Sequence, residues 1–306
     1  MTSIQRVKTI SEFHRTRMMP PPEHPLISVV NYADVHLLSE YYDRSWVFDF
    51  YFISLKRNIL GKIRYGQQAY DFNEGVMFFI GPGQVFSIEY MPGNPCERSG
   101  WMLLIHPDFF WNTSLAKGIK KYEYFGYSTN EALFVSKKEE DTLMGIIDNI
   151  RQEYHSNIDS FSQNIIISHI EALLNYSERF YNRQFITRKK ANHQILNTME
   201  ELLTAYLDSD ELLRKGLPTV QNLAEKLNVS AKYLTSVLKV LTGQTAQQHI
   251  HEKLIEKAKE KLTTSDLSVS EIAYELGFEH PQSFSKLFKL KTSLSPVEFR
   301  QTFNSR

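Results

Sequence analysis

The chain has 306 residues, with 35 Lys and Arg balanced by 35 Asp and Glu, 42% hydrophobic and 23% charged. These values are ordinary for a globular protein long enough to bury two cores. Cys96 is the only cysteine, which excludes an internal disulfide and a thiolate zinc cluster. No apolar run approaches the roughly 20 residues of a membrane span, and the first 16 residues lack the apolar stretch of a secretion signal, so a cytoplasmic protein with no membrane partner is expected.

Residues 1–30 end in Pro20-Pro21-Pro22 and Pro25, which predicts an arm and a lead-in loop. Strand signals occupy 45–106. The run 46–55 (WVFDFYFISL) puts Phe48, Phe50 and Phe52 on one face by alternation. Further strands are predicted over 59–65, 76–80, 85–90 and 101–105. Between them lie the turn residues Gly66, Gly75, Gly81-Pro82-Gly83 and Pro92-Gly93-Asn94-Pro95. Short strands at this spacing predict a small barrel or sandwich. Cys96 sits in the last of these turns and is expected to be an exposed thiol without a redox role.

From Ser136 the period becomes helical. Ser136 and Glu139 resemble a capping box ahead of Leu143, Ile146, Ile147 and Ile150. A second helix over 161–181 carries Ile165, Ile166, His169, Ile170, Leu173, Leu174 and Tyr176. This stripe is wider than one small sheet requires, so it meets either another subunit or the core of its own monomer. The run Thr187-Arg188-Lys189-Lys190 is polar and basic, and the linker is placed there. From Thr187 onward 17 Lys and Arg stand against 14 Asp and Glu. After His280 the residues Lys286, Lys289, Lys291, Arg300 and Arg306 face Glu298 alone.

Capping signals punctuate the remainder. A helix is predicted over 192–207, with Ile195, Met199, Leu202, Leu203 and Tyr206 as its apolar positions. Thr219 is the N-cap of a short helix, and Ser230 caps 231–241, which stops at Gly243. Thr245 opens a long helix to about residue 262, with Ile250, Leu254, Ala258 and Leu262 along one side. Ser268 with Glu271 forms a capping box, Pro281 suits a first helical turn, and Ser295-Pro296-Val297-Glu298 starts a last helix.

Within this stretch one pattern occurs twice. Val220, Leu223, Ala224, Leu227 and Val229 return 49 positions on as Val269, Ile272, Ala273, Leu276 and Phe278. Leu234, Val237, Leu238, Lys239 and Thr242 return 50 positions on as Phe284, Leu287, Phe288, Lys289 and Thr292. A change of register by one residue between two helical patterns predicts a turn that is one residue longer in the second copy. Both copies read as helix-turn-helix units, and two in tandem predict a protein that reads two neighbouring stretches of DNA groove.

The segments LAEKLNVSAKYLTSVLKVLTGQT and SVSEIAYELGFEHPQSFSKLFKLKTSLSPVEFR resemble the C-terminal domain of the AraC/XylS family of bacterial transcriptional regulators. The resemblance covers roughly the last 100 residues. It implies two helix-turn-helix subdomains (219–243 and 268–293) joined by a rigid helix over 245–262, with double-stranded DNA as partner and two successive major-groove turns as target. Carried onto this chain, the base-facing residues are Lys232, Thr235 and Ser236 in the first recognition helix, and Gln282, Ser285 and Lys286 in the second. Each set has spacing i, i+3, i+4 and shares one helix face. Lys239, Lys289, Lys291 and Arg300 are phosphate-contact candidates. Ser293 stands where many members have glycine, which leaves the C-cap of the second recognition helix open.

The first half is similar to the cupin-like effector domains attached to many such regulators, on strand order and the Phe79-Ile80-Gly81-Pro82-Gly83 turn. The fold class expected is therefore α+β: an arm over 1–30, a cupin-like β-barrel with two following helices over 31–186, and an all-α DNA-binding domain over 187–306. The resemblance implies a small-molecule effector in the barrel, with Phe50, Phe52 and Tyr65 as candidate lining. It also implies a homodimer through helices at about 136–181. Two rivals are a regulator whose barrel only dimerises and a metal cupin enzyme. The enzyme reading is opposed by the histidines, since the strand region offers only His106 and the pair His249-x-His251 lies at i, i+2 on a helix, where side chains point apart. No catalytic residue, metal set or cofactor is assigned.

Overall fold

Alternating aromatic and β-branched residues form sheets in the first half of the chain, and helical periodicity takes over in the second. The computed structural model describes residues 4–36, 45–57, 75–87, 99–128, 131–155, 161–187, 189–209 and 211–304. Two compact units emerge, Met1–Gln184 and Phe185–Arg306. The predicted strand over 59–65, with Tyr65, and the turn containing Cys96 lie outside the described residues.

The first unit contains β1 (Ile4–Val7), α1 (Ile10–Thr16), β2 (Ile27–Asn31), β3 (Ser45–Phe48), β4 (Tyr51–Arg57), β5 (Gly75–Ile80), β6 (Val85–Ser87), β7 (Ser99–Ile105), α2 (Leu115–Gly118), β8 (Leu133–Val135), α3 (Lys137–His155) and all but the last three residues of α4 (Ser162–Thr187). One sheet has the order β1-β3-β6 and the other β2-β7-β4-β5-β8. All pairings are antiparallel except β1 with β3. Among the described residues the strands make two sheets and do not close into a barrel.

The expected single strand over 46–55 is two strands in two different sheets. The chain changes sheets at Asp49, whose amide donates to the Val7 carbonyl at 3.1 Å and whose carboxylate takes the Arg6 guanidinium. Alternation still holds: Phe48, Phe50 and Phe52 enter one buried cluster with Phe13, Trp46, Phe86, Met102 and Leu104. Residues 1–30, expected as an arm and loop, carry β1, α1 and β2. Val7, Ile10 and Phe13 are buried in that cluster, so the apolar positions between the charges hold this segment down. Near the prolines, the Tyr154 hydroxyl accepts from the amides of Glu23 and His24.

In α3 the apolar residues Leu143, Ile146, Ile147 and Ile150 are all buried, and Ser136 meets Glu139 as the capping signal predicts. Most of the wide α4 stripe is buried, including Ile166, Ile170, Leu173 and Leu174; Ile165 and Tyr176 remain exposed, as does Phe161 just before the helix. The expected linker is helical on both sides, since α4 runs to Thr187 and the next helix starts at Lys189. Lys is a good helix former, which suits the first turn of that next helix.

The second unit is all helical: α5 (Lys189–Leu207), α6 (Glu211–Lys215), α7 (Val220–Lys226), α8 (Ala231–Thr242), α9 (Ala246–Thr264), α10 (Val269–Glu275), α11 (Pro281–Thr292) and α12 (Pro296–Asn304). A single hydrophobic cluster extends from Met199 of α5 through Leu254 of α9 to Phe288 of α11. The two repeats therefore share a core. Among the described residues, no helix is long and apolar enough to cross a membrane.

Candidate nucleic-acid interface

The duplication is visible in the backbone as well as in the residues. Thr219 and Ser268, 49 apart, are the N-caps of α7 and α10. Asn228 (φ 54°) and Gly277 (φ 77°), again 49 apart, take the left-handed conformation after those helices. Gly243 (φ 77°) and Ser293 (φ 66°), now 50 apart, take it at the C-caps of α8 and α11. The turn occupies residues 227–230 in the first copy and 276–280 in the second, so the extra residue lies where the change of register predicts it. Ser293 is the left-handed C-cap, although it carries a side chain where glycine is the unstrained choice.

The N-caps of α8 and α11 differ. The Ser230 hydroxyl accepts from the Tyr233 amide at 3.1 Å. His280 makes no side-chain cap, and Pro281 fills the first helical position, where no amide is needed. Each helix then buries one face, with Tyr233, Leu234, Val237 and Leu238 inside for α8 and Phe284 and Phe288 for α11. Burial raises the Tyr233 hydroxyl pKa above its ordinary value. On the opposite face Lys232, Gln282 and Lys286 are exposed, and Thr235, Ser236 and Ser285 are partly so. Lys232, Lys239, Lys286 and Lys289 make no ion pair among the described residues.

The other two phosphate candidates are engaged inside the domain. Arg300 donates from Nε to the Leu262 carbonyl at 3.2 Å and from a terminal nitrogen to the Leu267 carbonyl at 2.6 Å. It clamps the end of α9 to the following loop, satisfying carbonyls that the helix end leaves open. Lys291 lies 3.8 Å from Glu252 of α9. Nothing in the residue pattern marks these partners, because both are distant in sequence.

The spacer α9 opens with a capping box between Thr245 and Gln248 and buries Ala246, Ile250, Leu254, Ile255, Ala258 and Leu262. Its first turns hold the end of α8, with His249 2.9 Å from Thr242 and Gln244 donating to Glu252 at 2.8 Å. Its last turn holds α10 through Lys261 and Glu275 at 2.6 Å. His251 turns instead to Gln247 at 2.8 Å, so the two histidines have different neighbours. Burial and then Lys291 lower the His251 pKa.

Sequence reasoning missed α6. Its Leu212 is buried, and an added Cβ on Gly277 would lie 3.0 Å from both the Leu212 carbonyl oxygen and the Gly216 carbonyl carbon. The Tyr206 hydroxyl donates to the Gly216 carbonyl at 3.0 Å. This segment therefore ties the helix before the first repeat to the turn of the second. Two adjacent leucines in the gap between 207 and 219 were the available signal.

Phe50 and Phe52, offered as ligand-lining residues, are packed ring against ring in the first unit. Phe48 and Phe50 stack at 4.9 Å, Phe13 meets Phe50 edge-on at 6.0 Å, and Phe52 lies 5.7 Å from Phe48. They belong to the core. Alternation identified their shared face but not the α1 and β6 rings that cover it.

Comparison with known proteins supports the same region. Residues 223–302 match the model of a helix-turn-helix domain family. An uncharacterised helix-turn-helix-type transcriptional regulator of Pseudoalteromonas carrageenovora is 37% identical over 86 residues, covering 28% of this chain and 51% of the relative. The transcriptional activator RhaS of Citrobacter koseri is 37% identical over 81 residues, covering 26% of this chain and 29% of the activator. The C-terminal unit is an AraC/XylS-type helix-turn-helix domain. The C-terminal domain of the response regulator yesN from Fusobacterium nucleatum is 34% identical, over 36% of this chain and 98% of that structure, with a TM-score of 0.30. The chain thus spans about half the length of the Pseudoalteromonas relative and under a third of RhaS. Within the AraC/XylS-type domain, α7–α8 and α10–α11 are the two helix-turn-helix pairs and α9 is the spacer.

Proposed function

We propose that this protein is a DNA-binding transcriptional regulator whose α8 and α11 enter successive major-groove segments of one duplex. The observation that carries the reading is the pair of equal-length helices, each with an exposed polar ridge near its start and each docked on α9. Lys232 and Lys286 suit guanine O6 and N7, Gln282 suits adenine N6 and N7, and Thr235, Ser236 and Ser285 contact bases or orient the helices. Lys239 and Lys289 supply phosphate contacts, which give affinity without sequence information. Arg300 acts as an internal clamp.

The first unit serves as the control module, a cupin-like sensor of a small molecule. Its aromatic core fills the space that Phe50 and Phe52 would have lined, so the effector sits elsewhere in the unit. The exposed Ile165 and Tyr176 of α4, with Phe161 just before it, form the dimer contact. Selection of bound sequences from random DNA by the full chain tests the central reading; recovery of two short conserved blocks about one helical turn apart supports it. No enrichment over random sequence refutes it. Thermal stability measured against candidate metabolites, and mass in solution for wild type and Ile165→Glu, test the sensor and the dimer.

A further inference from the structure

We propose that Glu252 is a positioning residue that sets the separation of the two recognition helices and hence the half-site spacing the protein accepts. The inference rests on the DNA-reading proposal above. Glu252 lies on α9, and its Oε1 accepts from Gln244 Nε2 at 2.8 Å and faces Lys291 Nζ at 3.8 Å. Gln244 directly follows the C-cap of α8, and Lys291 lies in the last turn of α11. A single carboxylate oxygen therefore meets a side chain just past the end of α8 and another in the last turn of α11.

Apolar contacts hold α8 and α11 to the core, but burial is non-directional and leaves a packed helix free to tilt slightly. The hydrogen bond from Gln244 is directional and restricts that tilt for α8, and the attraction of Lys291 draws the end of α11 towards the same carboxylate. The base-facing residues are at the other end of each helix. Lys232 is 12 positions before Gln244 and Gln282 is nine before Lys291. At 1.5 Å per residue, a tilt of about 5° at the anchored end moves the reading end of α8 by roughly 1.5 Å. A shift of that size misplaces a bidentate base contact.

Glu252 is absent from the duplicated plan. The capping pairs Thr245 with Gln248 and Ser295 with Glu298 recur 50 positions apart, whereas the residue 50 positions after Glu252 is Thr302. It belongs to the joint between the copies. Both contacts are partly exposed, with Lys291 and Glu252 side chains 25% and 43% accessible, so the expected energetic effect is modest.

The test compares wild type, Glu252→Ala, Glu252→Lys and the charge exchange Glu252→Lys with Lys291→Glu, all in the full chain. Affinity is measured on the selected operator and on versions with the spacer changed by one or two base pairs. Glu252→Ala is expected to bind the preferred spacing about two- to fivefold more weakly and to lose less on altered spacings, flattening the profile. The exchange is expected to restore discrimination that Glu252→Lys alone destroys, with an unchanged unfolding midpoint for Glu252→Ala. An unaltered spacing profile, or an equal loss at every spacing, overturns the proposal while leaving DNA reading intact. A wild-type chain that selects no DNA sequence overturns the underlying reading instead.

Discussion

The two helix-turn-helix copies use the same backbone but distribute its difficult positions differently. In the first, Asn228 takes the left-handed turn and Gly243 the left-handed C-cap; in the second, Gly277 takes the turn and Ser293 the cap. The turn of the second copy needs glycine for space as well as for conformation, because α6 backs directly onto it. At the C-caps, a Cβ added to Gly243 would meet nothing within 4 Å, so only dihedral preference disfavours a side chain there. What packs against a repeated position decides which residue it tolerates.

The caps differ in charge as well. The N3 partners in the first copy and its following helix are Asn222 and Gln248; in the second they are Glu271 and Glu298. The Glu271 carboxylate is held below its usual range by hydrogen bonds from Ser268, and Glu298 by those from Ser295. The second copy has acid-sensitive caps that the first lacks.

Substitutions at the turns give the largest expected contrast. Gly277→Ala combines an unfavourable dihedral with a Cβ 3.0 Å from backbone atoms, and is expected to destabilise the domain by about 2–4 kcal/mol. Asn228→Gly is expected to be neutral or slightly stabilising, and thermal or urea unfolding of both variants checks the pair. Next, Lys286→Ala is expected to weaken binding to the selected operator by about 1–3 kcal/mol with little effect on random DNA. Lys289→Ala is expected to weaken all sequences alike and to lower the salt slope by about one; titrations at several salt concentrations separate the two roles.

Smaller effects sharpen the comparison at the C-caps. Ser293→Gly is expected to raise stability by about 0.5–1 kcal/mol, by relieving the left-handed serine. Gly243→Ala is expected to lower it. Acid supplies the last contrast. Because the folded pKa values of Glu271 and Glu298 are depressed, their stabilisation is complete above the unfolded carboxylate pKa of roughly 4.3. It is lost as pH falls through their folded values. Amide exchange or chemical shifts followed downward from pH 6 are expected to show α10 and α12 fraying before α7 and the start of α9.

The helical half was the more legible because its signals are local. N-caps, the glycine C-cap, Pro281 and the apolar face of α9 each depend on neighbours within four residues, and the one-residue change of register located the longer turn. The internal engagement of Arg300 and the contact between Gly277 and α6 depend on residues far away in the chain, which no periodicity encodes. In the first unit the alternation of Phe48, Phe50 and Phe52 showed a shared face but not the change of sheet at Asp49. It also could not show that α1, from a segment expected to be an arm, seals that face with Phe13. The proline cluster suggested a loop there, and three buried apolar side chains, Val7, Ile10 and Phe13, outweighed it.

Hydroxyl-radical footprinting of the full chain on its selected operator tests most directly whether the two polar ridges address one duplex face. Two protected patches, offset by about one helical turn and lying on the same side of the DNA, are the predicted result, with Lys232→Ala weakening one patch and Lys286→Ala the other. A single patch that weakens equally in both variants, or two patches on opposite sides of the duplex, would contradict the account.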